Sequence, residues 1–301
     1  MLIALCSVKG SPGVTTLAVA LALQWPHADS TRLLVAEVDP AGGDLAMRFG
    51  LPVTPGLVSL TAAARRTRDP APVWEYTQAL PGGARVLVAP PGGAHARAAL
   101  HTLATAPDGP RLHAAAREPA VVVLADCGRV DPGSPAEPIA RRADALVVVT
   151  GTQADDLAHT AARLQELARW TPRPALLLTG HGYSTADVER ELGVPTIGRL
   201  PYDPAAAASV TGHPPPPARR RGRSGLARQV ATLARTLAGP PATHATAAVA
   251  GVPALQVRQP DGAAVITPPA HGPHLLRPLP TPSDPPRNGH QPSTAWREPP
   301  A

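Results

Sequence analysis

The chain has 301 residues, 44% of them hydrophobic and only 3% aromatic, with a formal net charge of +6 and a pI near 10.3. That composition permits a core of Ala, Val and Leu, large enough for one α/β domain with an extension or for two modest domains. It excludes a membrane span, since no run approaches about 20 apolar residues. No secretory leader is expected, because the apolar run in MLIALCSVKG is too short for one and lacks a basic start.

Taken in chain order, short apolar runs at 2–7, 32–38, 84–89, 120–125, 145–150, 174–179 and 196–200 read as strands. Each is nearly continuous in apolar residues, as parallel strands covered on both faces must be. Helical stretches alternate with them, clearest at 15–24, 94–106, 155–169 and 185–192. The alternation predicts a doubly wound, mostly parallel sheet with helices on both faces. A last amphipathic helix is predicted over 224–238, with Leu226, Val230, Leu233 and Leu237 on one stripe. The periodicity ends there, and 15 prolines fall in residues 240–301. The expected organisation is a folded domain over 1–238 and a disordered Pro-rich tail over 239–301.

The basic charge is almost wholly arginine. Of 28 Lys+Arg residues, 27 are Arg and one is Lys9. A compositional bias toward Ala, Pro, Gly and Arg explains most of the pI, so net charge is weak evidence for nucleic acid. The same bias makes a surviving lysine informative. Cys6 and Cys127 stand far apart in apolar runs, give neither a metal spacing nor a disulfide framework, and suit a reducing cytoplasm.

The strongest motif follows the first strand, where Ser7-Val-Lys-Gly-Ser-Pro-Gly-Val-Thr-Thr16 turns into a helix. A glycine-bearing loop that opens a helix turns its backbone N–H groups inward, and the helix behind adds its positive N-terminal end, so phosphate is the natural ligand. The ordinary P-loop pattern G-x-x-x-x-G-K-[ST] fails twice, at Val8 and at Val14, which takes the lysine position. Two further strand ends carry acids, in Glu37-Val-Asp39-Pro40 and in Asp126-Cys-Gly128. An acid ending a buried strand needs a cation or donors beside it. For Asp39 a bland alternative is an Asp-Pro-x-Gly turn in which the side chain caps its own backbone. Asp44 reads as the cap of the next helix.

Lys9-Gly10-Ser11-Pro12-Gly13-Val14-Thr15-Thr16 resembles the deviant phosphate loop K-G-G-x-G-K-[ST]-[ST] of the ParA/MinD family of P-loop ATPases. The resemblance covers residues 1–238. It implies ATP and Mg²⁺ as cofactors, with Lys9, Gly10, Ser11, Gly13, Val14, Thr15 and Thr16 around the phosphates. It makes Lys9 a signature lysine acting in trans across a nucleotide-dependent homodimer, and Asp39 the residue that orients water. It assigns the metal to Thr15, Asp39 and Asp126, with Glu37 standing for the family's first Asp. Val14 departs from the pattern and removes the loop's own cation, which should harm turnover more than binding. The family's base-reading Asn is absent, since Thr179 and Gly180 follow the sixth strand.

Partner surfaces are less specific. Arg219, Arg220, Arg221 and Arg223 can meet a DNA backbone or an anionic membrane, or form a solvated linker. The 224–238 helix can lie on a membrane as the MinD terminal helix does, or pack on the core, which its small stripe favours. Two functions result: a nucleotide switch positioning DNA or another cargo, with weak ATPase activity, and a non-catalytic scaffold recruiting a protein partner in a secretion or pilus-type assembly. A third, weaker option is a DNA-coating protein.

Overall fold

The computed structural model describes residues 1–10, 12–66, 73–105, 111–210, 212 and 225–239. Ser11, the arginines at 219–223 and residues 240–301 therefore lie outside the described residues. The chain divides into two units, Met1–Ala254 and Leu255–Ala301, and everything described belongs to the first.

In chain order the elements are β1 (Leu2–Ser7), α1 (Val14–Leu23), β2 (Arg32–Glu37), α2 (Leu45–Phe49), α3 (Leu57–Arg66), β3 (Gln78–Ala79), β4 (Arg85–Leu87), α4 (Gly93–Thr105) and α5 (Arg111–Ala116). They continue with β5 (Val121–Arg129), α6 (Glu137–Ala140), β6 (Ala145–Gly151), α7 (Ala154–Leu167), β7 (Pro174–Thr179), α8 (Thr185–Leu192), β8 (Thr196–Leu200), α9 (Pro204–Val210) and α10 (Gly225–Ala238). The strands form one eight-stranded sheet in the order β3-β4-β2-β5-β1-β6-β7-β8. All pairings are parallel except the two-residue β3, which runs antiparallel along β4.

Successive side chains of a strand point to opposite faces, so a continuous apolar run feeds two cores at once. In β1, Leu2, Ala4 and Cys6 enter one apolar cluster, while Ile3 and Leu5 enter the other. The first cluster is closed by α3 to α8. The second is closed by α1, α2 and α10, with Leu226, Val230, Leu233 and Leu237 all buried in it. The amphipathic stripe of α10 is thus consumed by packing on α1, β8 and α9. Among the described residues no helix is long and apolar enough to cross a membrane.

The register brings together what the chain separates. β1 lies between β5 and β6, and β5 lies between β1 and β2. The loop after β1 therefore neighbours the ends of β5 and β2. The same register joins the two cysteines, which are far apart only along the chain. Leu5 pairs with Asp126 and Ser7 with Arg129, around a bulge, so Cys6 and Cys127 sit on neighbouring strands, both fully buried and free. Burial pushes the Cys6 thiol up to about 12, and Cys127 is raised by burial and then by its neighbour.

Candidate functional site

The site is built on α1. Its N-cap is Gly13, at φ 93°, with no side chain capping the helix and no acid in its first turn. That left-handed backbone favours glycine, because a Cβ would be strained there. Gly10 also lies at positive φ, 71°. The first-turn N–H groups of a helix have no intrahelical partner, so the start of α1 is an uncompensated positive pole suited to an anion. Thr15 and Thr16 stand half-buried in this first turn.

Val14 faces another way. It is 6% exposed and packs in the second apolar cluster. Val8, at the other departure from the ordinary P-loop, packs against the first cluster. Both positions serve the core, and neither supplies charge to the loop.

Asp126, near the carboxyl end of β5, is 1% exposed. Its carboxylate accepts hydrogen bonds from the Thr15 hydroxyl and from the Gly128 N–H at 3.1 Å. Burial lifts its carboxyl to about 7; the Thr15 hydrogen bond opposes this, and nearby Glu37 and Asp39 add to it. A buried carboxylate beside a hydroxyl at an open helix N-terminus, with no basic side chain paired to it among the described residues, has the donor chemistry for a hydrated Mg²⁺. Among the described residues no group of three His, Cys, Asp or Glu forms a metal cluster. The residues fit a cation whose remaining ligands are water and phosphate.

Asp39 is half-buried at the end of β2. Its Oδ1 accepts the Ala41 N–H at 2.7 Å, so the self-capping turn is present. The carboxylate also presses on Gly128, at φ 56°, where an added Cβ would collide with it. Asp39 thereby stands against β5 two residues from Asp126. Burial raises its carboxyl above the usual range.

Glu37 does something the sequence did not disclose. It is 1% exposed, and its Oε1 accepts the N–H groups of Asp44 at 2.7 Å and Leu45 at 2.9 Å. Its Oε2 accepts the Ala89 N–H at 3.0 Å. Glu37, and not Asp44, caps α2. Asp44 occupies the N-cap position without a capping bond and pairs with Arg48 at 2.7 Å. Among the described residues the hydrogen-bond partners of the Glu37 carboxylate are backbone amides, which assigns it to holding two loops together rather than to orienting water.

Lys9 meets Asp155 at 3.4 Å, both side chains being exposed. Its hydrogen bond lowers the Asp155 carboxyl. Lys9 thus links the β1–α1 loop to the start of α7. Lys9, Gly10, Gly13, Thr15, Asp39 and Asp126 all gather at the carboxyl edge of β1, β5 and β2, where open parallel sheets bind ligands. Two open cavities, of about 370 and 450 Å³, lie instead at the amino ends of strands, beside Asp144 and beside Arg32 and Arg85.

No protein-family model matches the chain, and no curated protein matches its sequence. Its fold does match solved structures. It is similar to the cell division ATPase MinD of Pyrococcus furiosus, with a TM-score of 0.61 and 19% identity, over 79% of this chain and 98% of that one. It is similar to MinD of Pyrococcus horikoshii OT3, solved with Mg-ADP, with a TM-score of 0.60, 16% identity and coverage of 78% and 95%. It is also similar to a ParA family ATPase from Chlorobium tepidum TLS, with a TM-score of 0.59, 17% identity and coverage of 78% and 98%. The chain has the fold of the ParA/MinD-type P-loop ATPases.

Proposed function

We propose that this chain is a cytoplasmic nucleotide switch that holds Mg-ATP at the start of α1, dimerises around it, and uses that state to position or partition a cargo. The observation that carries the reading is Asp126, buried, hydrogen-bonded to Thr15 and paired with no basic side chain among the described residues, under the uncapped N-terminus of α1. The solved relative holding Mg-ADP supports the same class of ligand.

In this reading the backbone of residues 10–16 cradles the phosphates, including Ser11. Thr15 and Asp126 hold Mg²⁺ and its water shell, with Asp39 beside them to orient water. The metal, when bound, neutralises charge on the phosphates. Lys9 leaves Asp155 and supplies a positive charge to the partner subunit's nucleotide. With Val14 turned into the core, no cation in the same loop stabilises charge developing during phosphoryl transfer, so hydrolysis is slow. The same burial of Val14 favours a second reading, a non-catalytic scaffold that recruits a protein partner in a secretion or pilus-type assembly. Nonspecific DNA binding through Arg219, Arg220, Arg221 and Arg223 rests on sequence alone.

The test is calorimetric titration of Mg-ATP into the wild type and Lys9→Ala, with light scattering to follow dimerisation. Binding and nucleotide-dependent dimerisation by the wild type, both weakened in Lys9→Ala, are expected. Equal affinity and equal dimerisation in the two proteins would remove the role of Lys9. Binding without dimerisation would favour the scaffold, and rapid turnover by the pure protein would contradict slow hydrolysis.

A further inference from the structure

With Val14 packed in the core, a triphosphate at the start of α1 would meet no cation from its own loop, and the neighbouring acids only add negative charge. The strands that frame the loop carry two basic residues. Arg32 opens β2 at the far edge of the sheet, and Arg129 closes β5 at the near one. Arg129 is thus the strand cation at the edge where Asp39 and Asp126 stand.

An irregularity in β5 decides which way Arg129 faces. Leu5 pairs with Asp126, but Ser7 pairs with Arg129, so β5 holds one residue more than β1 across this step. Leu5 belongs to the apolar cluster that α1 closes, and Ser7, two residues on, shares its face. Arg129, paired with Ser7, stands on that face too, whereas Val130 packs in the opposite cluster. Without the extra residue the alternation would place Arg129 away from α1. Re-aiming a side chain is what a bulge accomplishes, and here it needs Gly128 at φ 56°, where a Cβ would strike Asp39. Arg129 consequently lies one strand spacing, about 4.8 Å along the sheet, from the residue that enters the phosphate loop. The Val130 N–H donates to the Ser7 carbonyl at 2.9 Å and fixes this juxtaposition.

Other guanidinium groups near this edge are tied to the backbone. Arg97 donates to the Pro40 carbonyl at 3.1 Å, and Arg163 to the Val130 carbonyl at 3.2 Å. Arg129 instead donates through Nε and Nη2 to the Asp131 carboxylate, at 3.1 and 2.7 Å. Both side chains are more than half exposed, and an ion pair of that kind is weak and readily exchanged. The fork that grips a carboxylate fits two phosphate oxygens equally well. We propose that Arg129 is the phosphate-binding cation supplied by the same subunit, exchanging Asp131 for phosphate oxygens beside the metal and filling the role that Val14 leaves empty. The proposal rests on the nucleotide reading above.

The experiment is calorimetry on the full chain with Mg-ATP and with Mg-tripolyphosphate, comparing the wild type with Arg129→Ala, Arg129→Lys and Asp131→Ala. Arg129→Ala is expected to weaken both ligands by roughly tenfold to a hundredfold, and Arg129→Lys by less. Asp131→Ala should bind both at least as tightly as the wild type, because it removes the competing carboxylate and keeps the guanidinium. Wild-type affinity in Arg129→Ala would overturn the assignment while the nucleotide reading stands. Asp131→Ala as weak as Arg129→Ala would overturn it as well, by showing that the pair matters for the shape of the loop. So would an Arg129→Ala variant that loses Mg-ATP and keeps tripolyphosphate. A wild type that binds neither ligand would overturn both readings.

Discussion

At the scale of single residues, Asp126 is held where its charge is costly. Its carboxyl titrates near 7 because it is buried, against the ordinary value near 4 that it regains on unfolding. Between those limits the folded chain carries the extra proton, so stability falls as pH rises through that window and levels off above it. Asp126→Asn removes the ionisable group. In a chelator, urea denaturation should show the variant more stable than the wild type at pH 8, by on the order of a few kcal/mol, and the difference should vanish near pH 4. A wild type whose stability rises from pH 4 to 7 because of Asp126 would contradict this. Gly128 belongs to the same strain, since it alone leaves room for the Asp39 carboxylate against β5.

At the scale of elements, the β2–α2 and β4–α4 loops share one fastener. Glu37 accepts amides from both, and Gly43 adds a bond from its N–H to the Pro90 carbonyl at 3.0 Å. Glu37→Ala would strand three N–H groups, those of Leu45 and Ala89 buried and that of Asp44 partly buried, a buried one costing about 1–3 kcal/mol when unpaired. The expected loss is about 3 kcal/mol or more by chemical denaturation, with faster hydrogen exchange at Leu45 and Ala89. Glu37→Gln, which keeps an acceptor, should lose less.

This fastener also marks where the sequence stops being legible. Near-continuous apolar runs announced β1, β2 and β4 to β8, the helical stretches between them announced α1, α4, α7 and α8, and the spaced apolar stripe announced α10, because those signals are local. The loop at Lys9–Thr16 and the acids Asp39 and Asp126 were visible for the same reason. Five-residue α2 and two-residue β3 carry too little pattern, and α2 is capped by a residue seven positions upstream of Asp44. A cap supplied by the preceding strand leaves no trace in the usual N-cap position. The Cys6–Cys127 neighbourhood, the Lys9–Asp155 pair and the place of Arg129 beside Ser7 all depend on strand order, which periodicity does not encode.

At the scale of the molecule, stability comes from two apolar layers that contain few aromatics. Edge strand β3 is only two residues long and β8 at the other edge only five, so neither edge offers a long ladder for another strand. Leu233 is 2% exposed on the face of α10 turned to α1 and β8. Leu233→Ala should cost about 2–5 kcal/mol in thermal or urea unfolding. A negligible loss would mean that α10 is not docked in solution.

The solitary lysine has a practical corollary. The amine at residue 1 donates to the carbonyls of Ala116 and Val121, both at 2.7 Å, whereas Lys9 keeps 41% of its side chain accessible. Every other basic side chain is a guanidinium or an imidazole, which acylating dyes and lysine-directed cross-linkers largely ignore. A single reagent therefore becomes a position-specific reporter on one loop, obtained without introducing a new cysteine or removing the two that lie inside the sheet.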